Sequence, residues 1–405
     1  MIKTLTLTDF RNHASGRIKT GNFKNIIITG PNGGGKTSIL EAISTCAPGG
    51  GLRNSASAEM VRIGGTGGFG VVLGLENETE ISVSYKMGDA HRRVRVDGDS
   101  AALADLSRYL RIMWITPRED HLFADATADR RAFFDRLVSG FDAAHSGRTA
   151  RLSKLLSMRA FALKSGGDDK WLSSIELQIA GIAVAIAAAR VKYAGEVNWF
   201  LGSRESGVGN RKNSEIEKEN SKSENFNTIS DSRLPTPDYS ITISGMLEEK
   251  LAAGGSASDA EREYAGYLSQ NRELVADKMT ILGPHRTDFG MFNSCLDLPV
   301  AITSTGQQKS AILALICAHA KLVRTKTGAR PVVLLDEVAA HIDASARAAF
   351  FKEMAAADAQ VWITGLEQYT FRDVPDTKFI SCDNGMISDS VSVSGPPKAG
   401  AKIMK

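Results

Sequence analysis

Residues 30–37 read Gly30-Pro31-Asn32-Gly33-Gly34-Gly35-Lys36-Thr37, a stretch that fits the pattern G-x-x-x-x-G-K-[ST]. The residues before it, Asn25–Thr29, are mostly apolar and β-branched, which predicts a buried strand. Residues 38–44 after it have helical spacing and contain no helix breaker. Strand, glycine-rich loop and helix together form the arrangement of a phosphate-binding loop. The alternative, a glycine-rich turn that ends by chance in Lys-Thr, does not explain both flanks.

The chemistry of this loop predicts a site for a nucleoside triphosphate and Mg²⁺. Glycines let backbone N–H groups point inward at phosphate oxygens, and the N-terminus of the following helix adds partial positive charge. Lys36 can reach the β- and γ-phosphates, which gives it a binding and a catalytic role, and the Thr37 hydroxyl can hold Mg²⁺. We therefore assign residues 30–37 to nucleotide binding.

Two acids later in the chain extend the predicted site. Residues 331–337 read Pro331-Val332-Val333-Leu334-Leu335-Asp336-Glu337, an apolar run followed by two carboxylates. The run predicts a central strand, and open α/β sheets place their ligands at the C-terminal edge of such strands. We expect Asp336 to hold Mg²⁺ and Glu337 to polarise the attacking water. Acids after a strand are also common by chance, and the phosphate loop is what favours the functional interpretation.

A third segment, Ser304-Thr305-Gly306-Gln307-Gln308-Lys309, precedes a predicted helix over residues 310–323. Serine and glycine at a helix start can form an anion-binding N-terminus, although ordinary helix capping uses the same residues. The segment lies between the phosphate loop and the acidic strand, where ATP-binding-cassette ATPases have their signature helix. In the order of segments that these ATPases share, the next one is the D-loop, which corresponds to Ala340-His341-Ile342-Asp343. Thr364, at the end of a last predicted strand, then occupies the catalytic switch position, where family members often carry histidine.

Composition narrows the classes of protein to which the chain can belong. The chain has 405 residues, 42% of them hydrophobic, so it can form two or three domains with a sizeable core. Its net charge of +3 permits nucleic-acid binding without arguing for it. No apolar run approaches the roughly 18 residues of a membrane span, and a signal-peptide pattern is absent, so we expect a cytoplasmic protein. The cysteines, Cys46, Cys295, Cys317 and Cys382, lack metal-ligand spacing, which favours reduced thiols.

We expect three parts followed by a tail. Residues 1–110 form the first part of the head, with the phosphate loop and an antiparallel meander. Residues 111–280 form a helical arm, and residues 281–395 complete the head before a flexible tail at 396–405. The segment 202–239 is nearly all Ser, Asn, Glu, Lys and Gly, which predicts a disordered insertion in the arm.

Basic side chains provide two further candidates for contact with a ligand, and both signals are less specific. One is a cluster on the predicted meander, which either contacts DNA phosphates or protects a solvated edge strand from aggregation. Its members are Lys86, Arg92, Arg93 and Arg95. The other is Arg11, which lies either near the phosphates or adenine of a bound nucleotide or on the surface as an ordinary arginine.

These motifs closely resemble those of the RecF family, bacterial recombination and repair ATPases of the SMC/Rad50-like group. The resemblance covers most of the chain outside the insertion. It rests on Phe10-Arg11-Asn12, residues 30–37, Thr116-Pro117 with Asp120, Arg130-Arg131 with Phe134-Asp135, Gly283-Pro284-His285-Arg286, Thr305-Gly306-Gln307-Gln308-Lys309 and Asp336-Glu337. The implied fold is α/β: an ABC-type P-loop ATPase head, in which a mixed sheet and an antiparallel β-meander surround a central helix, with an inserted α-helical arm.

The resemblance also implies a function. Family members are ATP-dependent homodimers that bind double-stranded and gapped DNA, and they work with RecO and RecR to load RecA in replication, recombination and the SOS response. ATP with Mg²⁺ is implied as the cofactor, with weak, DNA-stimulated hydrolysis. Ser304, Thr305, Gly306 and Gln307 are implied to close over the ATP of a partner subunit, although Thr305 stands where many members have arginine. Alternatives from other classes are a transporter-coupled nucleotide-binding subunit and a non-hydrolysing scaffold.

Overall fold

The computed structural model describes residues 1–202, 239–273, 281–338 and 343–389. The strands in these ranges are β1 (Ile2–Phe10), β2 (His13–Lys19), β3 (Asn25–Thr29), β4 (Gly68–Leu75), β5 (Glu80–Lys86), β6 (Arg93–Val96), β7 (Asp99–Ser100), β8 (Arg111–Ile115), β9 (Tyr239–Ser244), β10 (Asp288–Asn293), β11 (Leu298–Pro299), β12 (Pro331–Leu335), β13 (Gln360–Gly365), β14 (Thr377–Asp383) and β15 (Met386–Asp389). The α-helices are α1 (Lys36–Ser44), α2 (Thr127–Phe141), α3 (His145–Lys164), α4 (Asp169–Gly202), α5 (Met246–Ala252), α6 (Ala257–Gln270), α7 (Thr305–Thr327) and α8 (Ala344–Ala356).

A mixed sheet of order β15-β14-β3-β13-β12-β8 forms the centre of the molecule. Its strands are parallel except β15, which pairs antiparallel with β14 at one edge. Side chains alternate between the two faces, so that Ile26 and Ile28 of β3 enter one core and Ile27 enters the other. Every residue of β3 and β12 is buried, as expected for strands that are covered on both faces.

The first face of this sheet is covered by α1 and by an antiparallel sheet of order β2-β1-β4-β5-β6-β7. Ile39 and Ile43 of α1 share a core with Ile26 of β3 and with Leu5 and Leu7 of β1. The helix after the phosphate loop is therefore held between two sheets. This arrangement confirms the predicted class, a mixed sheet and a β-meander around a central helix.

The second face is covered by α7, α8 and α2, together with the small sheet β11-β10-β9. A separate core joins α3, α4, α5 and α6 in the helical arm. β8, which the predicted boundary at residue 110 assigns to the arm, pairs with β12 as the edge strand of the central sheet. Residues 111–115 therefore belong to the head rather than to the arm. Other predicted boundaries stay predictions, and the insertion within 203–238 and the tail lie outside the described residues.

The long helix α4 corrects one expectation from the sequence. By length and composition alone it is apolar enough to cross a membrane, and half of its most apolar window is buried inside the protein. Its buried side also carries Glu176 and Arg190, which form ion pairs with Arg159 and Glu248 of neighbouring helices. Buried charges with partners on other helices are typical of a core helix in a folded domain, and we interpret α4 in that way.

Candidate nucleotide-binding site

The phosphate loop connects β3 to α1, and its backbone is shaped by glycine. Gly33 and Gly35 adopt positive φ angles of 78° and 110°, which side chains other than glycine rarely adopt. A Cβ atom at Gly30 would lie 2.0 Å from the carbonyl oxygen of Cys382, so the loop packs directly against β14. Gly35 stands at the N-cap of α1 and supplies no capping side chain. The N–H groups of the first turn are thus open to an anionic ligand.

Lys36 is buried at the first position of α1 and folds back over the loop. Its ammonium group donates hydrogen bonds to the carbonyl oxygens of Gly30 (2.8 Å) and Pro31 (2.9 Å). The charge is therefore held by weak neutral acceptors beside the pocket. Phosphate oxygens form stronger, charge-assisted bonds with such a group and can replace these carbonyls.

Three side chains from separate elements meet beside the loop. The hydroxyls of Thr37 and Thr364 each donate to Oδ1 of Asp336, both at 2.8 Å. A hydroxyl and a carboxylate suit Mg²⁺, which usually combines one or two protein oxygens with substrate phosphates and water. Within the described residues, no group of three or more His, Cys, Asp or Glu side chains could hold a metal alone. The donor set fits Mg²⁺ that is bound together with a triphosphate.

Glu337 follows Asp336 at the edge of the same pocket. Its side chain is half-buried and lines a cavity of about 550 Å³ together with Gly33, Lys36 and Thr37. Its backbone is left-handed, with φ at 56°, and its N–H donates to the Thr364 hydroxyl at 2.9 Å. The two acids predicted from the sequence are therefore placed differently, with Asp336 against Thr37 and Glu337 towards the open cavity.

Arg11 lies at the turn between β1 and β2 and lines the same cavity. Its guanidinium donates to both carboxylate oxygens of Glu41, at 2.8 and 2.6 Å, and Glu41 is wholly buried on α1. Further bonds run to the Ser55 hydroxyl and the Glu59 carbonyl. Of the two sequence-based alternatives for Arg11, the structure therefore favours a place at the nucleotide pocket over an ordinary surface position.

The predicted signature residues lie elsewhere on the surface. Ser304 is the N-cap of α7, which begins at Thr305 and so extends further than the predicted helix over 310–323. Ser304 and Gln307 form a reciprocal capping box, with the Gln307 side chain accepting from the Ser304 N–H at 3.0 Å. Ser304, Thr305 and Gly306 are exposed, and they do not line the phosphate-loop cavity of their own chain.

Of the predicted D-loop, Asp343 lies within the described residues and His341 outside them. The Asp343 carboxylate accepts hydrogen bonds from Ser345 and Ala346, which lower its pKa and make it the N-cap of α8. Its contacts in this structure are with its own helix. A functional role for the D-loop stays a prediction.

The basic cluster on the meander divides into two kinds of side chain. Arg92 is half-buried and donates to the carbonyl oxygens of Thr45 and Gly49, and burial lowers its pKa. Arg93 pairs with Asp89. Lys86 and Arg95 are exposed on β5 and β6. Only part of the predicted cluster is therefore presented to a partner, and DNA contact stays a prediction.

His13 is a residue at this site that the sequence analysis missed. Its ring is wholly buried between two carbonyl oxygens, with Nδ1 2.8 Å from Gly385 and Nε2 3.1 Å from Gly35. The N–H of Gly385 also donates to the Gly34 carbonyl at 2.9 Å. The β14–β15 turn and His13 therefore support the phosphate loop from behind. No local pattern around His13 indicates these contacts, which join distant parts of the chain.

This fold, with a phosphate loop and an acidic strand at the same edge of the central sheet, defines an ABC-type P-loop ATPase head. A family model described as "RecF/RecN/SMC N terminal domain" matches residues 1–388. The "DNA replication and repair protein RecF" of Rhizobium leguminosarum bv. trifolii is 35% identical over 384 residues, covering 93% of this chain and 95% of the relative. Its counterpart in Rhizobium etli (strain CIAT 652) is 34% identical, covering 95% and 98%. The chain therefore belongs to this family and, within it, to the RecF proteins.

Solved structures show the same fold. One described as the recombination mediator protein RecF-ATPrS in the RecFOR pathway superposes with a TM-score of 0.77 at 18% identity, covering 96% of this chain and 98% of that one. Another, described as RecF-ATP in the same pathway, gives 0.73 at 19% identity, with 96% and 99% covered. The likeness extends over the head and the helical arm together.

Proposed function

We propose that this protein binds ATP with Mg²⁺ and hydrolyses it slowly as part of a DNA-binding clamp in recombinational repair and replication. One observation carries the proposal: Thr37 Oγ1 donates to Asp336 Oδ1 at 2.8 Å. This bond joins the phosphate loop to the acidic strand at the point where Mg²⁺ with a bound triphosphate is held in phosphate-loop ATPases. Membership of the RecF family supports the same assignment.

Each residue of the site then has a separate role. Backbone N–H groups of residues 33–37 hold phosphate oxygens, and Lys36 exchanges its carbonyl partners for the β- and γ-phosphates. Thr37 and Asp336 would hold Mg²⁺, and the ion would supply positive charge beside the phosphates. Glu337 accepts a proton from the attacking water as the general base. Arg11, fixed by Glu41, forms the wall of the pocket beside the nucleotide.

A second copy of the chain completes the proposed site. Ser304, Thr305 and Gly306 are exposed and lie outside the cavity of their own chain. Their helix start offers further N–H groups, which can reach a γ-phosphate only from another molecule. ATP would then favour the dimer through its higher affinity for the closed state, and hydrolysis would release it.

The closed dimer is proposed to hold the DNA backbone with little preference for sequence. Relatives named "DNA replication and repair protein RecF" and structures described within the RecFOR pathway support a role with DNA in repair. Gapped or duplex DNA as the partner, and cooperation with RecO and RecR in loading RecA in the cytoplasm at the nucleoid, are proposed on membership of the RecF family. Contacts with phosphates predict an affinity for DNA that falls steeply with salt.

Sedimentation velocity of the full chain tests the proposal, with and without ATP, Mg²⁺ and gapped DNA. The variant Glu337→Gln should bind ATP and accumulate as a dimer, because the base is lost while the binding residues remain. Lys36→Ala should stay monomeric because its affinity for ATP falls. Glu261→Gln, an exposed residue on the distant helix α6, is the matched control and should behave as the wild type.

Two results would contradict the proposal. The first is a wild-type chain that stays monomeric at every concentration of ATP and DNA tested. The second is a Lys36→Ala variant that loses affinity for ATP and still dimerises with DNA as the wild type does. Equal dimerisation of Glu337→Gln and wild type, together with no hydrolysis by either, would indicate a scaffold that binds ATP without using it.

A further inference from the structure

Glu337 has a backbone conformation that needs support. Its φ of 56° is in the left-handed region, which is unfavourable for a residue with a side chain and persists only where the surroundings enforce it. This conformation lies directly after Asp336, two residues beyond the end of β12. It separates the directions of two consecutive carboxylates, so that Asp336 meets Thr37 and Glu337 lines the cavity.

Thr364 provides this support from the neighbouring strand. It is 0% exposed on β13, which pairs with β12 in parallel. Its hydroxyl accepts a hydrogen bond from the Glu337 N–H at 2.9 Å and donates one to Asp336 Oδ1 at 2.8 Å. The hydroxyl therefore acts as an acceptor for Glu337 and as a donor for Asp336. Thr364 does not line the phosphate-loop cavity.

We infer that Thr364 is a positioning residue, which fixes both acids through one hydroxyl and does not itself contact the nucleotide. The inference rests on the proposed function and deepens it. Asp336 keeps its bond from Thr37 when Thr364 is changed, so the binding of ATP with Mg²⁺ has a second support. The left-handed Glu337 N–H has the Thr364 hydroxyl as its acceptor, and the direction of the base depends on that bond.

Loss of the Thr364 hydroxyl should therefore lower kcat for ATP hydrolysis and leave KM nearly unchanged. Thr364→Val keeps the shape of the side chain and removes both hydrogen bonds. We expect kcat for ATP hydrolysis to fall by at least ~10-fold, because a misdirected base acts only in the chemical step. KM for ATP should stay within about threefold of the wild type, because the phosphate loop is unchanged. Thr364→Ser keeps the hydroxyl and should restore most of kcat.

A control separates this effect from the general loss of a buried hydroxyl. Thr20 is also wholly buried, and its hydroxyl donates to the Ile2 carbonyl at 2.7 Å, away from the nucleotide pocket. Thr20→Val should leave kcat unchanged. If Thr364→Val does not fold, as judged by circular dichroism, Thr364→Ala removes the same bonds without adding bulk and carries the same expectation.

The test combines steady-state hydrolysis with sedimentation in ATP and Mg²⁺. Thr364→Val should behave as Glu337→Gln does and accumulate as an ATP-bound dimer, a readout that simple destabilisation would not produce. The inference is overturned if Thr364→Val keeps the wild-type kcat, if its KM rises as much as its kcat falls, or if Thr364→Ser is as slow as Thr364→Val. A wild-type chain that hydrolyses no ATP overturns the proposed function, and this inference with it.

Discussion

Arg190 joins the helical arm through a buried network of charges, and its removal should have a large effect on stability. The side chain is 2% exposed on α4. Nε and Nη2 donate to the two carboxylate oxygens of Asp135 on α2, at 2.9 and 2.8 Å. Nη1 donates to Glu248 of α5 and to the Pro284 carbonyl, at 2.8 and 2.7 Å. One guanidinium thus links two helices and the segment at 283–286 to α4.

The variant Arg190→Met keeps most of the buried volume and removes every one of these bonds. Glu248 is 1% exposed and would be left as a buried carboxylate with one donor, the Thr287 hydroxyl. Asp135 keeps its contact with His145 and remains partly exposed, so it contributes less to the loss of stability. Removing one partner of a buried ion pair typically costs 3–5 kcal/mol, and we expect a loss of about that size in the free energy of unfolding.

Urea unfolding followed by circular dichroism measures this loss. The double variant Arg190→Met with Glu248→Leu provides the discriminating comparison. Because it removes the unpaired carboxylate as well, its loss should be smaller than that of Arg190→Met alone, by ~1–3 kcal/mol. A single variant that loses less than about 1 kcal/mol, or a double variant whose losses add, would refute this account of the network.

Two further predictions concern charge. Burial lowers the pKa of His319 to about 3, and the unfolded chain titrates near the ordinary value of ~6.5. The unfolded state therefore binds the proton first, so the free energy of unfolding should fall as pH drops below about 6.5, by up to ~1.4 kcal/mol per pH unit. His319→Asn should flatten that slope in urea unfolding, because asparagine does not titrate, while its amide can still form a hydrogen bond with the Tyr193 hydroxyl; an unchanged slope would contradict the assignment. For DNA, Arg95→Glu should weaken binding and reduce the salt slope by about 1–2, whereas Arg92→Gln should change it less because Arg92 is held by backbone carbonyls. Fluorescence anisotropy at several salt concentrations checks both variants, and an Arg95→Glu variant that binds DNA as the wild type does would contradict contact through the meander.

The central part of the site could be predicted because each half depends on local rules. Asn25–Thr29 and Pro331–Leu335 form β3 and β12 with the bounds that their apolar runs indicate. Parallel strands bring their C-terminal ends to one edge, so the phosphate loop and Asp336 were expected to be neighbours. The structure adds β13 between the two strands, and with it the Thr364 hydroxyl.

The support behind the site could not be predicted, because it depends on contacts between distant segments. His13 and the β14–β15 turn carry no pattern that indicates a phosphate loop as their neighbour. Arg92 is a second example, since a basic residue on a predicted meander suggests contact with phosphates, and the structure adds bonds from its guanidinium to the carbonyl oxygens of Thr45 and Gly49. Periodicity indicates which face of an element is buried, and it does not indicate which carbonyl a side chain will reach.

The position of the base in a single chain bears on how hydrolysis is controlled. Glu337 is already directed into the cavity by its left-handed backbone and by Thr364, with no second molecule present. Under the proposed function, dimerisation is therefore not needed to place the base. Under the same proposal, the exposed Ser304 and Gly306 of another copy would add donors on the open side of the bound triphosphate. Because such donors stabilise charge that develops during phosphoryl transfer, the approach of the second copy should raise the rate of hydrolysis as well as the affinity for ATP.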